Sequence, residues 1–124
     1  MQVFKFGGAS IKDAAGIKRV AAILEQFKDN SLIIVVSAMG KTTNAMEEVV
    51  AEHMSQSGKA PGLFNAVKET HYALMRDLFD PEEEVFTAVN DTFVEADWVL
   101  EETPADAYDY IYDRVETRSV YSPP

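Results

Sequence analysis

The sequence lacks several of the residues with which proteins build redox and metal sites. It contains no cysteine, which excludes disulfide bonds and thiolate metal ligands. Its two histidines, His53 and His71, do not have the i, i+4 spacing of a helical zinc pair. Because an isolated histidine in an apolar helix register is usually packed in a core, we expect both to be structural.

Long apolar runs are also missing from the sequence. No stretch is long enough to form a membrane-spanning helix, and the N-terminus has no apolar core of a signal peptide. We therefore expect no membrane partner and a cytoplasmic location. With 124 residues the chain is long enough to bury a core, and we expect one domain without internal repeats.

Positive charge is scarce, with 11 Lys and Arg residues against 21 Asp and Glu residues and a net charge of −10. This acidity argues against a nucleic acid partner, because affinity for nucleic acid depends on basic residues that neutralise phosphates. The basic residues are concentrated in the first third of the chain: Lys5, Lys12, Lys18, Arg19, Lys28 and Lys41. The sequence therefore leaves open the binding of a small anionic ligand by this third of the chain. The acidic remainder is typical of solvated helix surfaces.

The first third has the pattern of a strand, a helix and a second strand. Residues 3–6 alternate like a strand that ends at Gly7 and Gly8, and helical spacing follows from Ile11 onward. The helix has an apolar face made of Ile17, Val20, Ala21, Leu24 and Phe27. Residues 32–36 are all apolar, which favours a strand buried on both faces of a parallel sheet. The sequence thus predicts an α/β fold.

Helical patterns dominate the rest of the chain. We predict a helix from Ala45, a turn-rich connector over residues 57–62, and a helix that carries Phe64, Val67 and Leu78. A further helix should begin with Asp80 as N-cap and Pro81 as its first residue. Residues 103–115 read as a short last helix, and residues 116–124 as a disordered or non-native tail. Trp98 and the late tyrosines suit packing or an interface.

Two loops carry the candidate chemistry. Paired glycines between a strand and a helix, here Gly7 and Gly8, let backbone approach a phosphate, although they also occur in plain tight turns. In the second loop, Gly40-Lys41-Thr42 invites comparison with a Walker loop, which is rejected because Val35 stands where that motif needs its first glycine. The hydroxyls of Ser37, Thr42 and Thr43 either cap the next helix or contact a ligand.

Together, the two loops are more specific than either alone. Lys5-Phe6-Gly7-Gly8-Ala9-Ser10, followed by Val35-Val36-Ser37-Ala38-Met39-Gly40-Lys41-Thr42-Thr43-Asn44, resembles the start of an aspartate kinase. That family opens with K-F-G-G-T-S and continues with V-V-S-A-x-x-x-x-T-N. The resemblance implies the amino-acid kinase fold, three-layered with a mostly parallel sheet. Residues 1–124 would then be the truncated, helix-rich N-terminal portion of the catalytic domain.

The resemblance also implies roles for individual residues. The parent enzyme would use ATP to phosphorylate the side-chain carboxylate of L-aspartate in lysine, threonine and methionine biosynthesis. Mg²⁺ would arrive with the nucleotide, without a metal site made by these residues, and the enzyme would be a homo-oligomer. The residues that match ATP-binding positions are Lys5, Phe6, Gly7, Gly8 and Ser10. Lys5 would also be catalytic, and Ser37 and Thr43 would contact the amino-acid substrate.

This sequence departs from the family pattern in two places. Ala9 replaces the usual threonine, which removes one hydroxyl. The stretch from Tyr112 to Pro124 does not contain the Gly-Glu-Leu-x-Ser pattern, and the later nucleotide-binding half does not follow. We therefore expect this chain alone to be inactive or nearly so. The alternative is a non-catalytic binding or assembly module that uses its sheet edge and acidic helices to associate with itself or a longer subunit.

Overall fold

The computed structural model describes residues 1–104 of the chain. The chain divides into two compact units, Met1–Thr42 and a second unit that begins at Thr43. The last predicted helix, beyond its first two residues, and the predicted tail over residues 116–124 lie outside the described residues.

The first unit is a strand, helix, strand arrangement, as predicted. Strand β1 (Gln2–Phe6) pairs in parallel with β2 (Leu32–Val36), in a register that runs from Gln2 opposite Leu32 to Phe6 opposite Val36. Between the strands lie a short 3-10 helix, Gly8–Ile11, and helix α1, Ala14–Glu25. With the helices of the second unit, this confirms a helix-rich α/β chain built on a parallel pairing.

Helix α1 begins later than its apolar spacing predicts, because Asp13 caps it. The backbone of Asp13 is extended, and its carboxylate oxygen Oδ1 accepts a hydrogen bond from the amide of Gly16 at 2.8 Å. Aspartate is among the preferred N-cap residues, so the signal was present in the sequence. A Cβ at position 16 would collide with the carbonyl oxygen of Ser10, and glycine therefore lets the first turn pack on the 3-10 helix.

The apolar face of α1 is only half-buried. Ile17, Val20 and Leu24 are partly covered, whereas Ala21 is exposed. Phe27 lies beyond the end of the helix, yet its ring packs edge-on against Phe4 of β1 with 4.9 Å between the ring centroids. This contact covers part of one sheet face.

Strand β2 corrects the prediction of a strand buried on both faces. Its four residues from Ile33 to Val36 are between 44% and 57% exposed, and Val3 on β1 is exposed as well. The reason is the size of the sheet, which has two strands within the described part of the chain. An apolar strand is buried only where neighbouring strands and covering helices surround it.

The second unit is built from helices around an apolar core. Helix α2 (Thr42–Met54) starts at the boundary between the units and is followed by α3 (Ala60–Leu78) and α4 (Glu84–Glu101). The buried core contains Met46, Val49, Val50, Ala60, Phe64, Val67, Phe93, Ala96 and Val99. Phe64 and Val67, which the sequence analysis placed on one predicted helix, both belong to this core.

Phe93 connects helices α3 and α4 at the centre of this core. Its ring makes edge contacts with Phe64, His71 and Tyr72 at centroid distances of 5.6–5.8 Å. Polar links at the border reinforce the same helix pair. Lys68 Nζ lies 2.7 Å from an Asp97 carboxylate oxygen, and this ammonium also lies over the ring of Phe64.

Three further helix boundaries differ from the sequence predictions. Helix α2 begins at Thr42, three residues earlier than expected. Helix α3 begins inside the predicted connector, because Pro61 fits the first helical turn, where no backbone donor is required. Helix α4 begins only at Glu84, and the prediction of Asp80 as its N-cap was wrong. The carbonyl of Asp80 instead accepts the amide of Glu83 at 3.0 Å, forming a separate turn.

Both histidines are core residues, as expected. His71 is 9% exposed, and its Nδ1 lies 2.8 Å from the carbonyl oxygen of Val67, to which it donates. His53 is 4% exposed, and its Nε2 has no hydrogen-bond partner within the described part of the chain. Trp98 is 61% exposed on α4, so it does not pack in the core, and a role at an interface stays a prediction.

Candidate functional site

The two sequence motifs meet at the carboxyl ends of the paired strands. Because β1 and β2 run in parallel, the loops that follow Phe6 and Val36 leave the sheet side by side. Two backbone hydrogen bonds join these loops. The amide of Ser37 donates to the carbonyl of Phe6 at 3.0 Å, and the amide of Gly40 donates to the carbonyl of Gly8 at 3.0 Å.

Gly8 is required by the contact between the loops. A Cβ at this position would lie 2.8 Å from the carbonyl oxygen of Gly40 and 2.9 Å from that of Ala38. Both obstacles are backbone atoms, which cannot move aside as a flexible side chain would. The backbone of the second loop is therefore the group that approaches this glycine.

Gly7 has a different environment. Its backbone is extended, with φ −79° and ψ 170°, and a Cβ there would meet nothing within 4 Å. No packing among residues 1–104 therefore requires glycine at this position. The open space beside Gly7 leaves its backbone accessible to a ligand, which fits the phosphate-binding prediction.

The conformational freedom of glycine is used in the second loop. Among the described residues, the glycines with positive φ are Gly40, at 52°, and Gly58, at 84°. Gly40 ends the segment after β2 and turns the chain toward α2. A left-handed residue at this place makes the hydrogen bond to Gly8 compatible with the start of the next helix.

The polar side chains of the first unit point outward at this edge. Lys5 stands near the end of β1 opposite Val35, and its side chain is exposed. Ser10 and Ser37 are also exposed, and the amide of Ser10 closes the 3-10 turn by donating to the carbonyl of Gly7 at 3.0 Å. The half-buried side chain of Phe6 belongs to the strand, and its backbone carbonyl is the acceptor for Ser37.

The two threonines after Lys41 differ in availability. Thr42 is buried, and its hydroxyl donates to the carbonyl of Met39 at 2.6 Å. This hydrogen bond closes the turn before α2, and the burial of Thr42 limits the access of a ligand to its hydroxyl. Thr43 is the second residue of α2 and the first residue of the second unit, and its role stays a prediction.

The N-terminus of α1 is already capped by a carboxylate of the protein. The positive end of a helix dipole attracts anions, and the Asp13 carboxylate already occupies this position by accepting from Gly16. A phosphate at this edge of the sheet would therefore have to be held by the loop backbone and by lysine side chains.

The lysines around the loops have no counter-ions within residues 1–104. Among the six basic side chains of the first unit, Lys28 forms an ion pair, with Glu25 at 2.9 Å. Lys5, Lys12 and Lys41 make none with any described residue. No group of three or more His, Asp or Glu side chains in the described part of the chain is arranged to hold a metal ion. The unpaired lysines make this edge of the sheet favourable for an anion.

Similarity to known proteins extends over most of the chain. Residues 1–100 match the Amino acid kinase family. The chain is 39% identical over 84 residues to Aspartokinase 1, chloroplastic, of Arabidopsis thaliana, which covers 64% of this chain and 15% of that protein. It is 50% identical over 44 residues to Aspartokinase 2, chloroplastic, of the same plant, covering 36% of this chain and 8% of that protein.

A third relative joins two activities in its name. The Bifunctional aspartokinase/homoserine dehydrogenase 2, chloroplastic, of Arabidopsis thaliana is 32% identical over 78 residues, covering 63% of this chain and 8% of that protein. The chain thus spans between 8% and 15% of the length of these three relatives.

None of its described helices is long and apolar enough to cross a membrane.

Proposed function

This chain belongs to the amino acid kinase family, and from that membership we propose that residues 1–124 are the N-terminal portion of an aspartate kinase catalytic domain. The parent enzyme transfers the γ-phosphate of ATP to the side-chain carboxylate of L-aspartate, in the biosynthesis of lysine, threonine and methionine. The observation that supports this most is the joining of the two motif loops at the carboxyl ends of parallel strands, by the Gly40–Gly8 and Ser37–Phe6 hydrogen bonds.

The proposed chemistry is an in-line transfer. A carboxylate oxygen of aspartate forms a bond to the γ-phosphorus, the bond from that phosphorus to the β–γ bridging oxygen breaks, and ADP leaves. Such transfers need positioning and charge stabilisation more than covalent help from the protein. The exposed ammonium of Lys5 lacks a counter-ion among the described residues, so it is available to neutralise charge on the phosphoryl group.

The other loop residues have supporting roles in the proposal. Gly7 supplies accessible backbone beside the phosphates, and Gly8 keeps the two loops in contact while its segment lines the same site. The hydroxyl of Ser10 contacts the nucleotide, and those of Ser37 and Thr43 contact the amino-acid substrate. Mg²⁺ bound to ATP would offset the charge of its phosphates.

Titration of the chain with ATP in the presence of Mg²⁺, followed by calorimetry, tests the nucleotide part of this proposal. We expect binding that Lys5→Ala weakens strongly and that Lys18→Ala, which removes the same charge from an exposed position on α1, leaves nearly unchanged. An ADP-release assay with L-aspartate tests the chemistry, and we expect turnover only from the longer parent enzyme. If neither this chain nor the longer parent enzyme bound the nucleotide, the proposal would be contradicted.

A second candidate function is a non-catalytic assembly module, favoured by the exposed apolar side chains of β2. Self-association that covers Ile33 and Val35 would remove apolar surface from water. Light scattering at increasing concentration tests this, with Ile33→Lys expected to reduce the associated fraction. Tight association without nucleotide affinity would favour the module, whereas a monomer that binds ATP would exclude it. The homo-oligomer of the parent enzyme is a separate part of the proposal, tested by the same measurement on the full protein.

The compartment is also part of the proposal. The composition predicts a cytoplasmic protein, whereas the relatives named above are chloroplastic. Microscopy of the fluorescently tagged full-length product in its own cells decides between these compartments, and a plastid signal would contradict the cytoplasmic prediction.

A further inference from the structure

Two lysines outside the matching motif positions come together where the loops meet. Lys12 follows directly after the 3-10 helix, and a Cβ built on Gly40 would lie 3.6 Å from the Cβ of Lys12 and 3.9 Å from its Cα. Lys41 is the next residue after Gly40. The contact between the loops therefore brings the backbones of Lys12 and Lys41 into one neighbourhood, although the residues are far apart in sequence.

The charge around these lysines is not balanced by the protein. Both side chains are exposed, and neither forms an ion pair or a side-chain hydrogen bond with any residue in the described part of the chain. Lys28, by contrast, is paired with Glu25 on the same unit. In a chain with a net charge of −10, a local group of unpaired cations is a departure from the average surface. Such a group lowers the free energy of an anion placed beside it.

The nearest carboxylate in sequence does not neutralise them. Asp13 follows Lys12 directly, but its Oδ1 accepts from the amide of Gly16 at 2.8 Å as the N-cap of α1. The cap directs this carboxylate toward the helix. Gly7, which has open space beside it, and Lys12 flank the 3-10 helix on its two sides.

We propose that Lys12 and Lys41 bind the phosphate groups of the nucleotide, in addition to Lys5 and the Gly7 backbone. This inference rests on the proposed function, and it extends the phosphate site to two residues that the motif match does not assign. A lysine ammonium is a compact charge on a flexible stem, which suits the spread charge of a polyphosphate. With one lysine from each loop, the anion also bridges the loops and stabilises their contact.

Calorimetric titration of the full chain with ADP, with inorganic tripolyphosphate and with adenosine tests the inference. We expect Lys12→Ala and Lys41→Ala each to weaken ADP and tripolyphosphate binding about fivefold. The double variant should lose more than either single variant and should show a weaker dependence of affinity on salt. Adenosine affinity should not change, because that ligand carries no phosphate.

Lys18→Ala is the matched control. It removes the same charge from an exposed residue of α1 that also lacks a described ion pair, so it reproduces any effect of net charge alone. Equal losses in Lys12→Ala and Lys18→Ala would overturn the inference and leave the proposed function standing. Failure of the unsubstituted chain to bind either phosphate ligand would overturn both. Circular dichroism of each variant verifies that the fold is retained.

Discussion

The carbonyl oxygen of Gly40 lies where a side chain on Gly8 would have to be, at 2.8 Å from the position of the missing Cβ. At the same time the amide of Gly40 donates to the carbonyl of Gly8 at 3.0 Å. The two glycines thus set the distance between the loops, and this distance brings Lys12 beside the second loop. The loop contact is a structural condition for the proposed phosphate site.

Replacing Gly8 and Gly7 by alanine separates packing from ligand binding. Gly8→Ala should lower the free energy of unfolding by about 1–3 kcal/mol, because its methyl group collides with two backbone carbonyls. Gly7→Ala should leave stability nearly unchanged, since its Cβ enters open space and its φ of −79° suits alanine. Urea unfolding measures both. Nucleotide titration of the stable Gly7→Ala variant should show weakened binding, and unchanged affinity would place the phosphates elsewhere.

Gly16 and Gly62 are helical glycines that should respond in opposite directions to the same substitution. Gly62→Ala on α3 meets nothing within 4 Å and should stabilise the chain by about 0.5–1 kcal/mol through helix propensity. Gly16→Ala on α1 should instead destabilise it by about 1–3 kcal/mol, because the methyl group collides with the carbonyl of Ser10. Thermal unfolding compares the two, and stabilisation by both would contradict the close packing at Ser10.

Asp13 should stabilise the start of α1 as a hydrogen-bond acceptor. Asp13→Ala removes the oxygen that accepts from Gly16 and should cost about 1 kcal/mol of unfolding free energy. Asp13→Asn keeps an acceptor at the cap and should cost less. Chemical denaturation of the three proteins tests this order, and an equal loss in both variants would indicate that charge, and not the cap bond, is responsible.

His71 should make stability depend on pH. Burial lowers the pKa of His71 below its ordinary value of 6.5, more than its hydrogen bond to Val67 raises it. Above pH 6.5 the neutral form of the ring predominates in both the folded and the unfolded chain, so the contribution of His71 to the free energy of unfolding is present. As the pH falls below this value the unfolded chain takes up a proton more readily than the folded chain, so stability decreases.

Urea unfolding between about pH 7.5 and about pH 5.5 measures this dependence. The His71→Gln variant is the comparison, because it retains a polar side chain without a titrating group. Its stability should be lower than that of the parent chain at the higher pH and should change less across the range. Equal slopes for the two proteins would assign the pH dependence to other groups.

Local patterns in the sequence were sufficient for the elements and their type. The alternation before Gly7, the apolar run of β2 and the 3.6-residue spacing of Phe64, Val67 and His71 are properties of consecutive residues. They correctly indicated the βαβ start, the three helices that follow within residues 42–101, and the buried histidines. The paired motifs around Lys5 and Ser37 likewise indicated the family, because their residue types and separation can be read without coordinates.

What only the tertiary structure decided are relations between residues that are distant in sequence. The sequence could not indicate that Gly8 makes room for Gly40 or that Lys12 lies beside the second loop. Nor could it show that β2 is exposed, because the apolar character of a strand states what it tends to bury and not what is present to cover it. Composition and periodicity determine local conformation through each residue's own preferences, whereas close approach and burial depend on which other segments arrive at the same place.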